Sequence, residues 1–424
     1  MFIRHFNPHK LIYRVGQVAK VALVALVAKV ALVEKVALIA KVALLASVLV
    51  LTGRAYGQQI QFEGYVRTES IYDTRQVLQV REGQFHLFPL EKSKENSNSN
   101  LLLAAFRSRV AVSSITSEGV PGVLAARIEG DFFGATNDNV NMLRLRHAYI
   151  VWTYQSHQVL FGQTWSPLFT SSVIPGTVGF ATGAPFQPFA RFPQLRYTKS
   201  IRKVSIEAAV STQLDAYQEI GGRKMHHQSG LPAGHIHVSA KGQSGLLVGV
   251  GGTVKSIRPE LGGDSFRARA ATAYAKVELG KTTLKVKSMI GEDLADHLMP
   301  GGFIRNSQGM LEPTRLASAW MDVSHPTTLG TLGVFAGYLI NLGVPSSGNQ
   351  AAAIANTRAA NLKDLWRIAP RLVYTRKPLT VSMELEATSA QYGQGFDTHF
   401  VPVVVEVHSR VLNVRWLLAA YYNF

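Results

Sequence analysis

Leu412-Asn413-Val414-Arg415-Trp416-Leu417-Leu418-Ala419-Ala420-Tyr421-Tyr422-Asn423-Phe424, the last stretch of the chain, alternates with a period of two. Leu412, Val414, Trp416, Leu418, Ala420, Tyr422 and Phe424 share one parity, and Asn413, Arg415 and Asn423 lie on the other. Successive side chains of a strand point to opposite faces, so this stretch predicts a strand with one apolar and one polar side. A soluble domain has little reason to end on an exposed apolar strand.

The same alternation recurs upstream. Val123 to Phe133 sets Leu124, Ala126, Ile128, Gly130 and Phe132 against Arg127, Glu129 and Asp131. In Met142 to Tyr154, Leu143, Leu145, His147, Tyr149 and Val151 oppose Arg144, Arg146, Ala148 and Ile150. Phe106, Val110 and Val112 oppose Arg107 and Arg109, and Trp366, Ile368, Leu372 and Tyr374 oppose Arg367 and Arg371. Phe266 to Val277 is rich in Ala on both parities, with Arg267 and Arg269 on one of them. Short turns such as Glu118–Gly122, Glu278–Lys281 and Arg376–Pro378 alternate with long loops over Asp73–Asn100, Asp296–Pro313 and Gly343–Lys363. One face toward lipid, one toward water, and a closed sheet with no free edge are the conditions for crossing a bilayer with strands. The expected fold is all-β, a transmembrane antiparallel up-and-down β-barrel of about 16 strands.

The N-terminal segment is of another kind. Basic residues (Arg4, Lys10, Arg14) precede a low-complexity tract repeating Lys-Val-Ala-Leu from positions 20, 29, 35 and 41. An apolar run from Val42 to Leu51 follows, then Ala55-Tyr56-Gly57. A basic start, an apolar run of about ten residues and a small-x-small site predict a signal peptide over 1–57, cleaved before Gln58. A retained anchor over 21–51 would bury Lys29, Glu34, Lys35 and Lys41, each at about 2.5–3.5 kcal/mol. The barrel is then 58–424, and the destination is the outer membrane. The formal net charge of +17 divides into +7 for residues 1–57 and +10 for the rest. After residue 57 the cations recur singly within alternating segments, which argues against a nucleic-acid partner. The chain has no Cys, which excludes a disulfide scaffold and a thiolate metal site.

Several runs resemble the Bacteroidota outer-membrane porin family, related in style to DcaP-like trimeric porins. They are Gly64–Arg67 with Tyr72–Gln76, Glu129–Gly134, Leu143–Tyr149, Phe161–Phe169 and, most of all, Pro185–Tyr197. The likeness is good from about 60 to 200, thin in the middle, and returns in the last strand. It implies a 16-stranded barrel and a homotrimer, with no defined substrate. The final Phe424 resembles the terminal signal read by the barrel assembly machinery. Outer-membrane lipid and lipopolysaccharide are the surrounding partners.

If the parities hold, Arg107, Arg109, Arg127, Arg144, Arg146, Arg196, Arg267, Arg269, Arg367, Arg371 and Arg415 line the lumen, with Glu129 and Asp131 facing them. A guanidinium ladder gives a positive potential that favours anions; paired with carboxylates, the same residues only stitch the wall. Residues 165–190 are nearly uncharged, stiffened by Pro175, Pro185 and Pro188, and carry Phe180, Phe186 and Phe189. This segment is a candidate constriction loop, or else a surface loop or trimer latch. His235 and His237 share one strand face with His226 and His227 nearby, but a metal site needs further converging ligands. Gly249-Val250-Gly251-Gly252 lacks the third spaced glycine of a nucleotide fingerprint. His147 lies on the apolar parity, at an interface. No catalytic group, cofactor or metal is expected. The expected function is a passive porin for small hydrophilic, anionic solutes; the alternatives are a barrel enzyme of lipase or protease type, or a plugged surface-binding barrel.

Overall fold

In a computed structural model, residues 58–80, 85–134, 139–213, 223–306, 308–346, 356–405 and 410–424 are described. The expected signal peptide, 1–57, lies outside them. Sixteen antiparallel strands follow in chain order. The first eight are β1 (Gln59–Asp73), β2 (Asn100–Ala104 continued by Arg109–Thr116), β3 (Val123–Asp131), β4 (Arg144–Tyr154), β5 (His157–Trp165), β6 (Arg191–Ile201), β7 (Val204–Ser211) and β8 (Ala233–Lys241). The second eight are β9 (Leu247–Ile257), β10 (Phe266–Leu279), β11 (Thr282–Glu292), β12 (Arg315–Thr327), β13 (Gly330–Gly343), β14 (Leu362–Arg376), β15 (Leu379–Tyr392) and β16 (Arg410–Asn423). Both pieces of β2 pair with β1, so they count as one strand. The last strand pairs with the first, from Tyr65↔Asn423 to Asp73↔Arg415, and the sheet closes without an edge.

Burial follows the sequence parity. In β16, Trp416 and Leu418 are 60% and 51% exposed, while Arg415 and Leu417 are both 4% exposed. In β3, Ile128 faces out and Glu129 and Asp131 are buried inside. Short connections join the strands at one end and long loops at the other, so the short-turn end is periplasmic by the usual rule for such barrels.

Two strands correct the sequence reading. In β4 the register slips, with Glu129 opposite His147 but Gly130 opposite Leu145. Arg146 is the extra residue of this bulge, and parity reverses past it. Leu145 and Ile150 therefore both face out, whereas Arg146 and His147 are both buried. His147 is thus not an interface residue; its Nδ1 lies 3.0 Å from Thr164 Oγ1. In β10 the inward set is Phe266, Ala268, Ala270, Thr272 and Tyr274. Arg267 and Arg269 belong to the exposed, outward set and do not line the lumen.

The lumen is occupied by inward-folded loops. The segment after β1 contains a short hairpin, Val77–Val80 with Phe85–Pro89, and Leu87 and Phe88 from it are buried. The segment after β11 contains a turn at Ala295–His297 and a strand pair, Gly301–Arg305 with Leu311–Pro313. With residues 166–190 these loops build one apolar cluster. Phe88, Phe133, Phe169, Phe180, Phe186 and Phe189 meet Trp320, Phe335, Leu339 and Leu365 of the wall.

Candidate functional site

The segment 166–190 leaves β5 at Trp165 and turns inward at once. Ser166 is extended, Pro167 starts a 3-10 turn to Phe169, and Thr170 ends it in the left-handed region at φ 54°. Carrying no charge, the segment can bury Leu168, Phe169, Phe180, Phe186 and Phe189 completely or nearly so. Its carbonyl groups need partners in exchange, and the far wall supplies them. Lys287 Nζ donates to Leu168 O at 2.5 Å and Lys285 Nζ to Ile174 O at 2.8 Å. Arg67 Nη2 donates to Val178 O at 2.9 Å, and Arg367 Nη1 to Ala184 O at 2.9 Å. The Glu384 carboxylate accepts the N–H groups of Val178 and Gly179 at 2.8 and 3.0 Å. Trp320 Nε1 donates to Gln187 Oε1 at 3.0 Å. Gly337 of β13 gives Phe186 its seat, since a Cβ there would meet the ring at 2.7 Å.

Nine of the eleven arginines expected in the lumen face inward, and each meets a carboxylate. On β1–β4, Arg107 reaches Glu69 at 2.7 Å and Arg109 reaches Glu129 at 3.3 Å. Arg127 joins Glu129 at 2.8 Å and also pairs with Glu63. Arg144 meets Asp131 at 2.7 Å, and Arg146 spans Glu129 and Asp131 at 2.7 and 2.9 Å. Across the β1–β16 closure Arg415 meets Asp73 at 2.7 Å, and on β12–β15 Arg371 meets Asp322 at 2.7 Å and Arg367 meets Glu386 at 3.3 Å. Arg196 of β6 stands 3.4 Å from Glu207. Phe180, at the tip of the inward loop, lies beneath Arg107, with the guanidinium carbon 4.5 Å from the ring centroid, and within 6 Å of Arg144 and Arg146.

The sequence reading passed over Arg67, Glu69, Asp73, Lys285, Lys287, Asp322, Glu384 and Glu386. Arg67 and Glu69 alternate with Val66, Thr68 and Ser70, and Lys285 and Lys287 flank Val286. The period-two signal was there to be read.

On the opposite wall the space is open. A cavity of about 290 Å³ lies between the loop and β5–β10. Its lining is mostly hydroxyl (Ser166, Thr170, Ser171, Ser172, Thr198, Ser205, Ser239) with Arg196, Glu207, His237, Trp165 and Tyr274. A separate small space of about 20 Å³, toward the long-loop end, is lined by Gln213, His226, His235, Lys255, Asp296 and His297. Here Lys255 Nζ lies 2.9 Å from Asp296 and 3.2 Å from Asp293. His297 bridges Asp296 at 2.7 Å and Ser166 Oγ at 3.0 Å, which ties two inward loops together. Burial, with Lys255 adding to it, pushes the His226 imidazole down to about 4. Burial alone would push the Asp296 carboxyl up, but His297 and Lys255 hold it below the usual carboxylate range. For Asp293 burial prevails over Lys255 and raises it. His235 bonds Ser211 Oγ at 2.8 Å. Among the described residues, no group of three His, Cys, Asp or Glu side chains is placed to hold a metal ion.

Residues 53–229 match a family model described as DcaP outer membrane protein. No curated protein matches the chain. Among solved structures, the outer membrane channel DcaP of Acinetobacter baumannii is similar at a TM-score of 0.67 and 18% identity, over 87% of this chain and 98% of that one. An anion-selective porin from Comamonas acidovorans gives 0.56 and 12%, over 87% and 100%. The trimer form of OmpT, an outer membrane protein of Vibrio cholerae, gives 0.52 and 12%, over 87% and 100%. At these identities the likeness is one of fold. The family match falls where the sequence resemblance is strongest and supports its DcaP-like half. The chain is an outer-membrane β-barrel of the porin type.

Proposed function

We propose that this outer-membrane barrel is a passive diffusion channel for small hydrophilic solutes, with a preference for anions, working as a homotrimer. Outer-membrane lipid, lipopolysaccharide and the barrel assembly machinery, reading Phe424, are its proposed partners. The observation that carries the channel reading is the inward segment 166–190. It is bonded to the wall by Arg67, Lys285, Lys287, Arg367 and Glu384, and a hydroxyl-lined cavity lies on its other side. A loop held in this way narrows a lumen without moving.

The anion preference rests on charge that stays uncompensated. The pairs on β1–β4 set six guanidiniums (Arg67, Arg107, Arg109, Arg127, Arg144, Arg146) against four carboxylates (Glu63, Glu69, Glu129, Asp131). Lys285 and Lys287 are hydrogen-bonded to loop oxygens rather than to acids. Purified protein in a planar bilayer should give discrete conductance steps and a reversal potential on the anion side in a KCl gradient. Lys285→Gln with Lys287→Gln should move that potential toward zero. An unchanged potential would remove the anion preference and leave the channel.

The apolar cluster inside the barrel favours a second reading, a plugged barrel whose long loops bind a partner. Silence in the bilayer from protein shown to be folded would decide for it.

A further inference from the structure

Arg267 and Arg269 are the second and fourth residues of β10, at its long-loop end, and they face outward. Among the described residues neither guanidinium has an ion pair or a hydrogen bond. Glu292, on the adjacent strand β11, accepts the backbone N–H of Arg269 at 3.1 Å. A guanidinium facing the middle of the hydrocarbon is strongly unfavourable, but at headgroup level it is tolerated and can pair with phosphate.

Beneath them, on the same outward face, lies a groove of about 720 Å³. One row of its lining can be followed across the sheet: Ala273 opposite Ser288, Ser288 opposite Ala319, Ala319 opposite Tyr338, Tyr338 opposite Trp366. Three small side chains form the floor and two large aromatic ones form a wall. Arg269 precedes Ala273 by four residues, about 13 Å along the strand. The face therefore offers paired cations above and a concave apolar trough below, at the spacing of an amphiphile's headgroup and chains.

We infer that this face binds the lipid A portion of lipopolysaccharide, with Arg267 and Arg269 on a phosphate group and acyl chain in the groove over Ala273, Ser288 and Ala319. Charge complementarity selects this occupant. A neutral lipid would leave both guanidiniums without a partner, whereas a phosphorylated one gives them the bidentate acceptor their planar fork matches. The inference depends on the outer-membrane location and not on the channel reading.

The test is native mass spectrometry of delipidated, detergent-solubilised barrel titrated with bisphosphorylated lipid A and with its dephosphorylated form. Wild type should bind the bisphosphorylated lipid about tenfold more tightly than the Arg267→Gln, Arg269→Gln double variant does, the loss of roughly one charge-assisted contact. The dephosphorylated lipid should bind both proteins equally weakly. Ala319→Trp, which fills the floor, should weaken the bisphosphorylated lipid while leaving the arginines intact. Heat-modifiable mobility on gels establishes that each variant is folded. Equal binding by wild type and the double variant, or no effect of the phosphates, overturns the assignment. So does an Ala319→Trp variant that keeps its lipid but loses its oligomer, which would give the groove to a second copy. Bilayer conductance of the same preparations reports on the channel separately.

Discussion

Two walls face one lumen and solve the same problem in opposite ways. The wall of β1–β4 and β14–β16 is crowded with guanidiniums and carboxylates, nearly all in contact with each other or with the inward loop. The wall of β6–β9 carries hydroxyls, imidazoles and a loose pair, Arg196 with Glu207 at 3.4 Å, with Lys255 paired to Asp293 and Asp296 only at its long-loop end, and it lines the open cavity. Charge density alone therefore does not mark the open space of the lumen. Where charges are dense enough to satisfy one another, they form a rigid wall that anchors a loop. The space left open is where the side chains are small and only partly engaged. A buried ion pair is sensitive to the loss of one partner, while an exposed hydroxyl is not.

The contrast can be broken most sharply at Asp131, fully buried between Arg144 and Arg146. Asp131→Ala leaves both cations facing a void and should lower stability by about 3–5 kcal/mol. Urea unfolding of the barrel reconstituted in vesicles measures it, and a midpoint equal to wild type would show that the wall is not held by its ion pairs. A smaller effect is expected where the inward loops meet, at His226 and Asp296. The His226 imidazole is held down to about 4, so as pH falls from about 6.5 toward 4 the unfolded chain gains a proton that the folded site refuses. Asp296, also held low, acts in the same direction below the ordinary aspartate range. Asp293, held high, acts in the opposite direction above the ordinary aspartate range, but the His226 ring nitrogen accepts the Gln213 N–H at 3.2 Å, so its protonation should still loosen that contact. Protection factors over Leu294–Met299, corrected for the slower intrinsic exchange at low pH, should fall between pH 7 and pH 4, and unchanged factors would refute this. Least of all should come from Thr198→Val on the cavity wall. Stability should change by no more than about 0.5 kcal/mol, with a measurable change in single-channel conductance. The reverse pattern, stability lost and conductance kept, would show that the two walls had been assigned the wrong way round.

Much of the fold was legible because lipid and water enforce parity. β16 shows it from Val411 to Ala419, and nine of eleven arginines followed it inward. It failed where the side chains gave no contrast or the backbone added a residue. In β10, Ala268 and Ala270 on one face and Ala271 and Ala273 on the other leave nothing to tell inside from outside, so Arg267 and Arg269 were assigned to the wrong side. In β4 a single bulge at Arg146 reversed the remainder of the strand. The inward course of 166–190 was foreshadowed by its phenylalanines and lack of charge. Its anchors were not, because Lys287, Glu384 and Arg367 find it only once the barrel has closed. Pairing was equally hidden, since period two gives the face of a residue and not its neighbour around the circumference.

Those anchors also set a timetable for biogenesis. Residues 166–190 are tied to Lys287, Ser318, Arg367 and Glu384, at sequence separations of 119, 132, 183 and 206. Contacts so distant in sequence form late, after the loop-closure entropy between them has been overcome. Until β11, β14 and β15 are in place, Phe180, Phe186 and Phe189 have no seat, and the nascent chain carries a sticky, chargeless segment through the periplasm. Chaperone dependence during transit and a slow final maturation step after membrane insertion are then consequences of how the loop is fastened.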